Sequence, residues 1–190
     1  YERITRETQI RMTINLDGQG QSRIDTGIGF FDHLLENFAK HGLVDLEADI
    51  KGDLHVDQHH TVEDTGIALG ELIKKALGDK KGIARTGFFI FPMDESLVLS
   101  SLDLSGRPYL VFQAQFKHKR VGEFETHLTE DFFQGFSTAL GANLHIRVDY
   151  GRSDHHKIEA IFKSVSRSLR MACALEPRIR DQIPSTKGTL

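Results

Sequence analysis

The chain has 190 residues and a formal net charge of −3, which gives it no general electrostatic attraction to nucleic acid or to an anionic membrane. Hydrophobic residues at 39% and charged residues at 27% are those of an ordinary folded domain, and no apolar run reaches the length of a membrane span. The one cysteine, Cys173, rules out an intrachain disulfide, and the opening residues do not read as a signal peptide, so a cytoplasmic protein is expected.

Residues 10–16 alternate, with Ile10, Met12, Ile14 and Leu16 on one side, and predict a strand. Asp17-Gly18-Gln19-Gly20 predicts a turn, 22–28 a second strand, and 30–40 a helix through Phe31, Leu34, Leu35 and Phe38 that Gly42 stops. Residues 44–50 return to strand alternation, and a long helix from about 57 to 77 closes at Gly78. The same order then recurs: strands at 96–104 and 109–116, a helix at 128–140 through Phe132, Phe133, Phe136 and Leu140, and a strand marked by Leu144, Ile146 and Val148. A helix over about 153–174 follows, before Pro177. Internal duplication is the economical explanation, with one domain made of halves at about 1–94 and 95–190. Each half leaves one sheet face and two helices to bury. The expected fold is therefore α/β (α+β), a four-helix layer packed between two mixed β-sheets.

Each long helix opens on a histidine doublet followed by a glutamate, His59-His60-Thr61-Val62-Glu63 and His155-His156-Lys157-Ile158-Glu159. On a helix His59 and Glu63 share a face, as do His155 and Glu159. Consecutive residues point about 100° apart, so His60 and His156 look elsewhere. One such helix offers a His/Glu pair to one ion and its second histidine to another ion, whose remaining ligands come from a different helix. Two helices make two sites, closed by the other repeat or by a neighbouring subunit. Imidazole with carboxylate suits zinc, manganese, iron or nickel, and the lack of thiolates argues against a structural zinc finger. His33, beside the apolar stripe of the first short helix, reads on its own as a core histidine, and Glu7 as a solvated strand residue. The tail from 178 to 190 is polar and reads as a frayed terminus, yet Ser185-Thr186-Lys187-Gly188 combines hydroxyls, amides and a point charge of the kind that grips an anion.

A series of segments spans essentially the whole chain: Arg6-Glu7-Thr8, Gly29-Phe30-Phe31-Asp32-His33, Lys40-His41-Gly42 and Gly82-Ile83-Ala84-Arg85. It includes Pro92-Met93-Asp94-Glu95, Asp103-Leu104-Ser105-Gly106-Arg107-Pro108, Asn143-Leu144-His145-Ile146, both doublet motifs and Pro184-Ser185-Thr186-Lys187-Gly188. In this order they resemble the imidazoleglycerol-phosphate dehydratase family of histidine biosynthesis. The resemblance implies the duplicated fold inferred above (ribosomal S5 domain 2-like), two Mn2+ per subunit, and a homo-oligomer of 24 subunits with metal sites at subunit interfaces. It implies that His33, His59, His60, Glu63, His145, His155, His156 and Glu159 are the metal ligands, three histidines and one glutamate per ion. Leu144 and Ile146 take the opposite face of the strand from His145. Asp131, at the helical place in the second half matching His33, competes with it, and His127 is a further candidate.

The resemblance also implies a phosphate cradle of Arg85, Arg107, Lys163, Ser185 and Lys187, with His41 a weaker member, and makes Glu7 a substrate-contacting acid/base. The implied substrate, D-erythro-imidazole glycerol phosphate, must lose water from two adjacent carbons with no carbonyl to acidify the departing proton. Two metals on the ring nitrogens would favour imidazolate. Electron push from the ring then expels the hydroxyl to a diazafulvene-like intermediate, and loss of the next carbon's proton gives the enol of imidazole acetol phosphate. A hydrolase using metal-bound hydroxide and a metal-storage protein are the alternatives, and neither uses Arg85, Arg107 and the tail motif.

Overall fold

The computed structural model describes residues 1–188; Thr189 and Leu190, the end of the polar tail, lie outside the described residues. The first sheet comprises β1 (Glu2–Ile4), β2 (Thr8–Asn15), β3 (Ser22–Asp25) and β4 (Asp45–Gly52), joined by helices α1 (Gly29–Gly42) and α2 (His59–Leu77). Its order is β1-β2-β4-β3, with β3 parallel to β4 and the other pairs antiparallel. The second sheet is built from β5 (Thr86–Met93), β6 (Ser96–Asp103), β7 (Tyr109–Gln113) and β10 (Asn143–Tyr150), in the order β5-β6-β10-β7. Replacing each strand by its counterpart turns one order into the other. A hairpin of β8 (Arg120–Val121) and β9 (Phe124–Glu125) precedes helix α3 (Leu128–Leu140), and α4 (Asp154–Cys173) follows β10.

Helices α1 and α2 cover the first sheet, α3 and α4 the second, and α2 packs on α3 as α1 packs on α4, so the helices form the layer between the sheets. The alternation of the strands aims this way: Ile10, Met12, Leu46, Ala48 and Ile50 are buried from the first sheet, Val98, Leu102, Leu144 and Ile146 from the second.

Sequence alternation misses β5. Its Phe88-Phe89-Ile90-Phe91 run is apolar on both faces: Phe89 and Phe91 lie under Arg167 and Lys163 of α4, whereas Phe88 and Ile90 are exposed on the outer face. Because β5 pairs with β6 along its whole length, the second sheet begins at Thr86. Strand β1, three residues long, is likewise too short to show a period.

Helices α2 and α3 touch backbone to backbone. A Cβ added at Gly66 would stand 2.3 Å from the carbonyl oxygen of Phe132, and one at Gly70 would stand 2.6 Å from that of Phe136. Reciprocally, Gly135 leaves room for Glu63 and Ile67. Around this contact the rings of Phe132, Phe133, Phe136 and Phe162 interlock, all fully buried. Gly66→Ala is expected to destabilise the protein by about 1–3 kcal/mol through overpacking against a rigid backbone. Chemical denaturation is the check, and a midpoint equal to that of the parent would mean that the two helices part freely.

Candidate metal centres and active site

The two long helices start at the same end of the layer, so both doublets open on one edge of the molecule. Among the described residues one group of three ligating side chains converges, His33 from α1 with His155 and Glu159 from α4, their ligand atoms within 4.8 Å of one another. Glu159 Oε2 lies 3.1 Å from His155 Nε2 and 3.4 Å from His33 Nε2. Its other oxygen receives Lys163 Nζ at 2.5 Å. Burial pushes the Glu159 carboxyl up, but the Lys163 ammonium outweighs it and holds the group below its ordinary value, so an anionic oxygen faces the two imidazoles.

The first doublet builds a counterpart with different chemistry. His59 Nε2 lies 3.4 Å from Glu63 Oε2, and His59 Nδ1 lies 3.5 Å from Asp131 Oδ2 of α3. Asp131 thus stands to α2 as His33 stands to α4. His145 does not reach this cluster within the chain. It points from the outer face of β10, in the row Phe88, Ser101, His145, Val111, while its neighbours Leu144 and Ile146 are buried toward the helices. Within the chain Asp131 is therefore the residue beside His59, and His127 pairs with Glu125 at 3.8 Å. Glu63 also lacks the lysine that serves Glu159, since Ile67 occupies the place four residues on. Its side chain is 41% exposed against 7% for Glu159, so water does for Glu63 what Lys163 does for Glu159.

The second histidine of each doublet turns away from the first, as the helical angle requires. His60 Nδ1 sits 3.0 Å from Asp53 and His156 Nδ1 sits 2.7 Å from Glu95, while each Nε2 has a carboxylate at 3.7 Å, Glu7 for His60 and Asp94 for His156. The Asp53 hydrogen bond raises the His60 pKa against a smaller opposing effect of burial. Glu7 is held by its backbone. Its N–H donates to Thr5 Oγ1 at 3.1 Å and its carbonyl accepts from Asp53 N at 3.0 Å, and Asp64 of α2 anchors the same turn through Arg3 and Thr8. No spacing in the sequence marks Asp53 or Glu95. They reach the histidines from strand ends, and only the sheet topology brings them there.

The phosphate candidates fall in three places within the chain. Arg85 grips Asp103 through Nε at 2.7 Å and Nη2 at 3.0 Å, and donates from Nη1 to the Pro184 carbonyl at 2.8 Å, which ties the segment carrying Ser185 and Lys187 to the second sheet. Arg107 lies in the β6–β7 turn with its guanidinium directed to the Ser105 carbonyl. Lys163 stands nine residues along α4 from Ala172, whose carbonyl accepts from Arg85 N; at 1.5 Å per residue that is about 13 Å away. His41, its pKa lowered by burial and by the charges of Lys163 and Arg167, packs edge-on to Phe91 near Lys163.

The β8–β9 hairpin straps over the edge where the doublets lie. Asp154, the first residue of α4 and buried, accepts from the backbone N–H of Lys117 at 2.9 Å and His118 at 2.8 Å and from Lys157 Nζ at 3.0 Å. Gln58, just before α2, donates to the Glu123 carbonyl at 3.0 Å and accepts from Glu125 N at 3.3 Å. Between the two anchors Phe124 is buried on Phe30 and Phe31, and Phe30 in turn lies 4.8 Å from the ring of His155.

Comparison with known proteins places these features in a family. Residues 26–169 match the family model described as imidazoleglycerol-phosphate dehydratase. A protein of that name from Lacticaseibacillus casei is 57% identical over 188 residues, covering 99% of this chain and 96% of its own. One from Koribacter versatilis is 52% identical over 189 residues, covering 100% and 97%. Among solved structures, imidazoleglycerol-phosphate dehydratase from Staphylococcus aureus matches with a TM-score of 0.82 at 38% identity, covering 93% of this chain and 98% of its own. A structure titled IGPD from Pyrococcus furiosus in complex with (S)-C348 matches over 100% of both chains with a TM-score of 0.87 at 34% identity.

Burial pushes the Asp154 carboxyl up, but the converging N–H donors and Lys157 outweigh it and hold the pKa at about 2. A carboxyl whose folded pKa lies below its unfolded one stabilises the protein above the unfolded value, near 4, and loses that contribution as the pH falls toward 2. Asp154→Asn is expected to cost about 2 kcal/mol at neutral pH and to flatten the acid limb of the stability curve between about pH 4 and 2. Urea titrations across that range are the check, and an unchanged acid limb would show that the hairpin is held by Phe124 alone.

Proposed function

This chain belongs to the imidazoleglycerol-phosphate dehydratase family of hydro-lyases, and from that premise we propose that it converts D-erythro-imidazole glycerol phosphate to imidazole acetol phosphate and water in histidine biosynthesis. The observation that carries the proposal is the convergence of His33, His155 and Glu159, beside which the first doublet sets Glu63 and Asp131 at the two ring nitrogens of His59. Both mix imidazole with carboxylate, and the Glu159 oxygen facing His33 and His155 is anionic. That donor chemistry fits a divalent transition ion such as Mn2+, one at each triad and so two per subunit. Ions held there would act as Lewis acids on the substrate's ring nitrogens and favour the imidazolate.

The outward Nε2 atoms of His60 and His156 have no triad of their own, and in this proposal they complete the sites of neighbouring subunits in a 24-subunit homo-oligomer. The outer face of the second sheet supports self-association, since Phe88, Ile90 and Tyr109 are exposed together on it. Glu7 takes the proton from the carbon next to the one that loses hydroxide. One C–H and one C–O bond break, a carbon–carbon double bond forms, water leaves, and the enol collects a proton on the ring-side carbon to become the ketone. Arg107, Lys163, Ser185 and Lys187 hold the phosphate, with Arg85 setting the tail in place and His41 at the margin of the cradle.

The direct test is formation of imidazole acetol phosphate by the purified protein, which should vanish on chelation and return with Mn2+. A metal-loaded protein inert toward this substrate would end the proposal. Glu7→Gln is expected to lower kcat by about 10²–10⁴-fold with KM changed far less, at parental metal content. A near-normal kcat with a much raised KM would make Glu7 a positioning group instead. Arg107→Ala and Lys187→Ala should each weaken substrate binding by roughly 1.5–3 kcal/mol, the worth of a contact to a charged group, without loss of metal. Binding measured calorimetrically with a non-reacting phosphorylated analogue is the check, and parental affinity would remove that residue from the cradle.

A further inference from the structure

His60 and His156 hold matching places in the two repeats, yet the carboxylates at their inner ring nitrogens come from unrelated places. Asp53 follows the last residue of β4, its two oxygens 3.0 and 3.2 Å from His60 Nδ1. Glu95 lies in the turn between β5 and β6, with Oε2 2.7 Å from His156 Nδ1. The first-half turn that matches it, between β1 and β2, carries Glu7, and Glu7 faces the other nitrogen of its histidine. Two different backbone positions deliver the same contact to the same ring atom.

That contact fixes the chemistry of the ring. A carboxylate only accepts, so a neutral imidazole beside it keeps its one proton on Nδ1 and leaves the lone pair on Nε2. The Glu95 carboxylate is held on both oxygens, and Asp53 is fixed at its backbone. Asp53 is tethered through its own N–H to the Glu7 carbonyl at 3.0 Å. Glu95 Oε1 accepts from Ser153 N at 2.7 Å and Arg152 N at 3.1 Å while Oε2 holds the histidine. Each Nε2 then faces only a more distant carboxylate, Glu7 for His60 and Asp94 for His156, both at 3.7 Å and beyond hydrogen-bond reach.

We propose that Asp53 and Glu95 are positioning residues, each fixing the tautomer and ring plane of one outward histidine so that Nε2 is the atom presented to a divalent metal ion. The proposal rests on the reading of the doublets as metal-binding. Neither residue touches substrate or ion. Each acts on one of the two classes of ion, Asp53 on the ion that receives His60 and Glu95 on the ion that receives His156.

The test uses Asp53→Asn and Glu95→Gln, which keep size and remove the charge that demands a proton on Nδ1. Chelated protein is titrated with Mn2+ and the free ion is followed by electron paramagnetic resonance. In each single variant one class of site should weaken by about 10–100-fold, the usual effect of losing such a partner, while the other class keeps its parental affinity; the double variant should weaken both. A structural defect alone would lower both classes together. Parental affinity at both classes in the single variants overturns the proposal. A second measurement does not depend on the variants folding: the side-chain 15N resonances of histidine in the metal-free parent, above the pH at which the rings are charged. They should report an Nδ1–H tautomer for His60 and His156, and an Nε2–H tautomer overturns the proposal. A parent that binds no Mn2+ would overturn the metal reading itself, and the 15N result would still stand as a separate outcome.

Discussion

The contact of α2 with α3 through Gly66, Gly70 and Gly135 fixes where the chemistry can be. With no side chain between them at these points, the two helices meet backbone to backbone, and Asp131 on the first turn of α3 reaches His59 on the first turn of α2. A larger residue at any of the three glycines would push the first turns apart, and the carboxylate would no longer meet the imidazole. The other pair, α1 on α4, meets through Gly42 against Ser166, and its open end brings His33 to His155 and Glu159. Interior packing, which holds the sheets apart and the helices together, is thus also what assembles each triad.

Given that frame, the helical angle of about 100° between neighbours divides each doublet. One histidine turns into its own triad and the next turns out, and each then needs a different kind of support. The inward Glu159 is an anion in a nearly dry place, where an unpaired charge would be heavily penalised, and Lys163 one turn on supplies the opposite charge. His60 and His156, 32% and 30% exposed, turn away from the triads, and for them the requirement is orientation, which the carboxylates at Nδ1 provide.

Much of this was legible in the sequence because it depends on period. The four helices, their stops at Gly78 and Gly141, and the buried faces of β2, β4 and β10 all follow from spacing, as does the division of each doublet. What was not legible depends on two-sided or long-range contacts. Strand β5 hides because Phe88 and Ile90 look outward while Phe89 and Phe91 look inward, so no alternation survives. Asp53 and Glu95 meet their histidines only through the order of strands in the sheets. The outward direction of His145 was legible too, since the alternation that buries Leu144 and Ile146 turns it away from the helices.

Duplicated motifs need not give duplicated electrostatics. Taken with its partners, the first triad sets two carboxylates, Glu63 and Asp131, around one imidazole, and the place four residues after Glu63 holds Ile67. The second sets one carboxylate with two imidazoles and cancels its charge with Lys163. A dication would therefore meet a strongly negative, oxygen-rich and partly hydrated pocket at the first group and a nearly neutral, nitrogen-rich one at the second. Oxygen donors favour hard ions and imidazole favours borderline ones. The identical histidine and glutamate spacing in the two repeats conceals this inequality, because it is written at Asp131, His33, Ile67 and Lys163, all outside the motif by a helix turn or a whole helix.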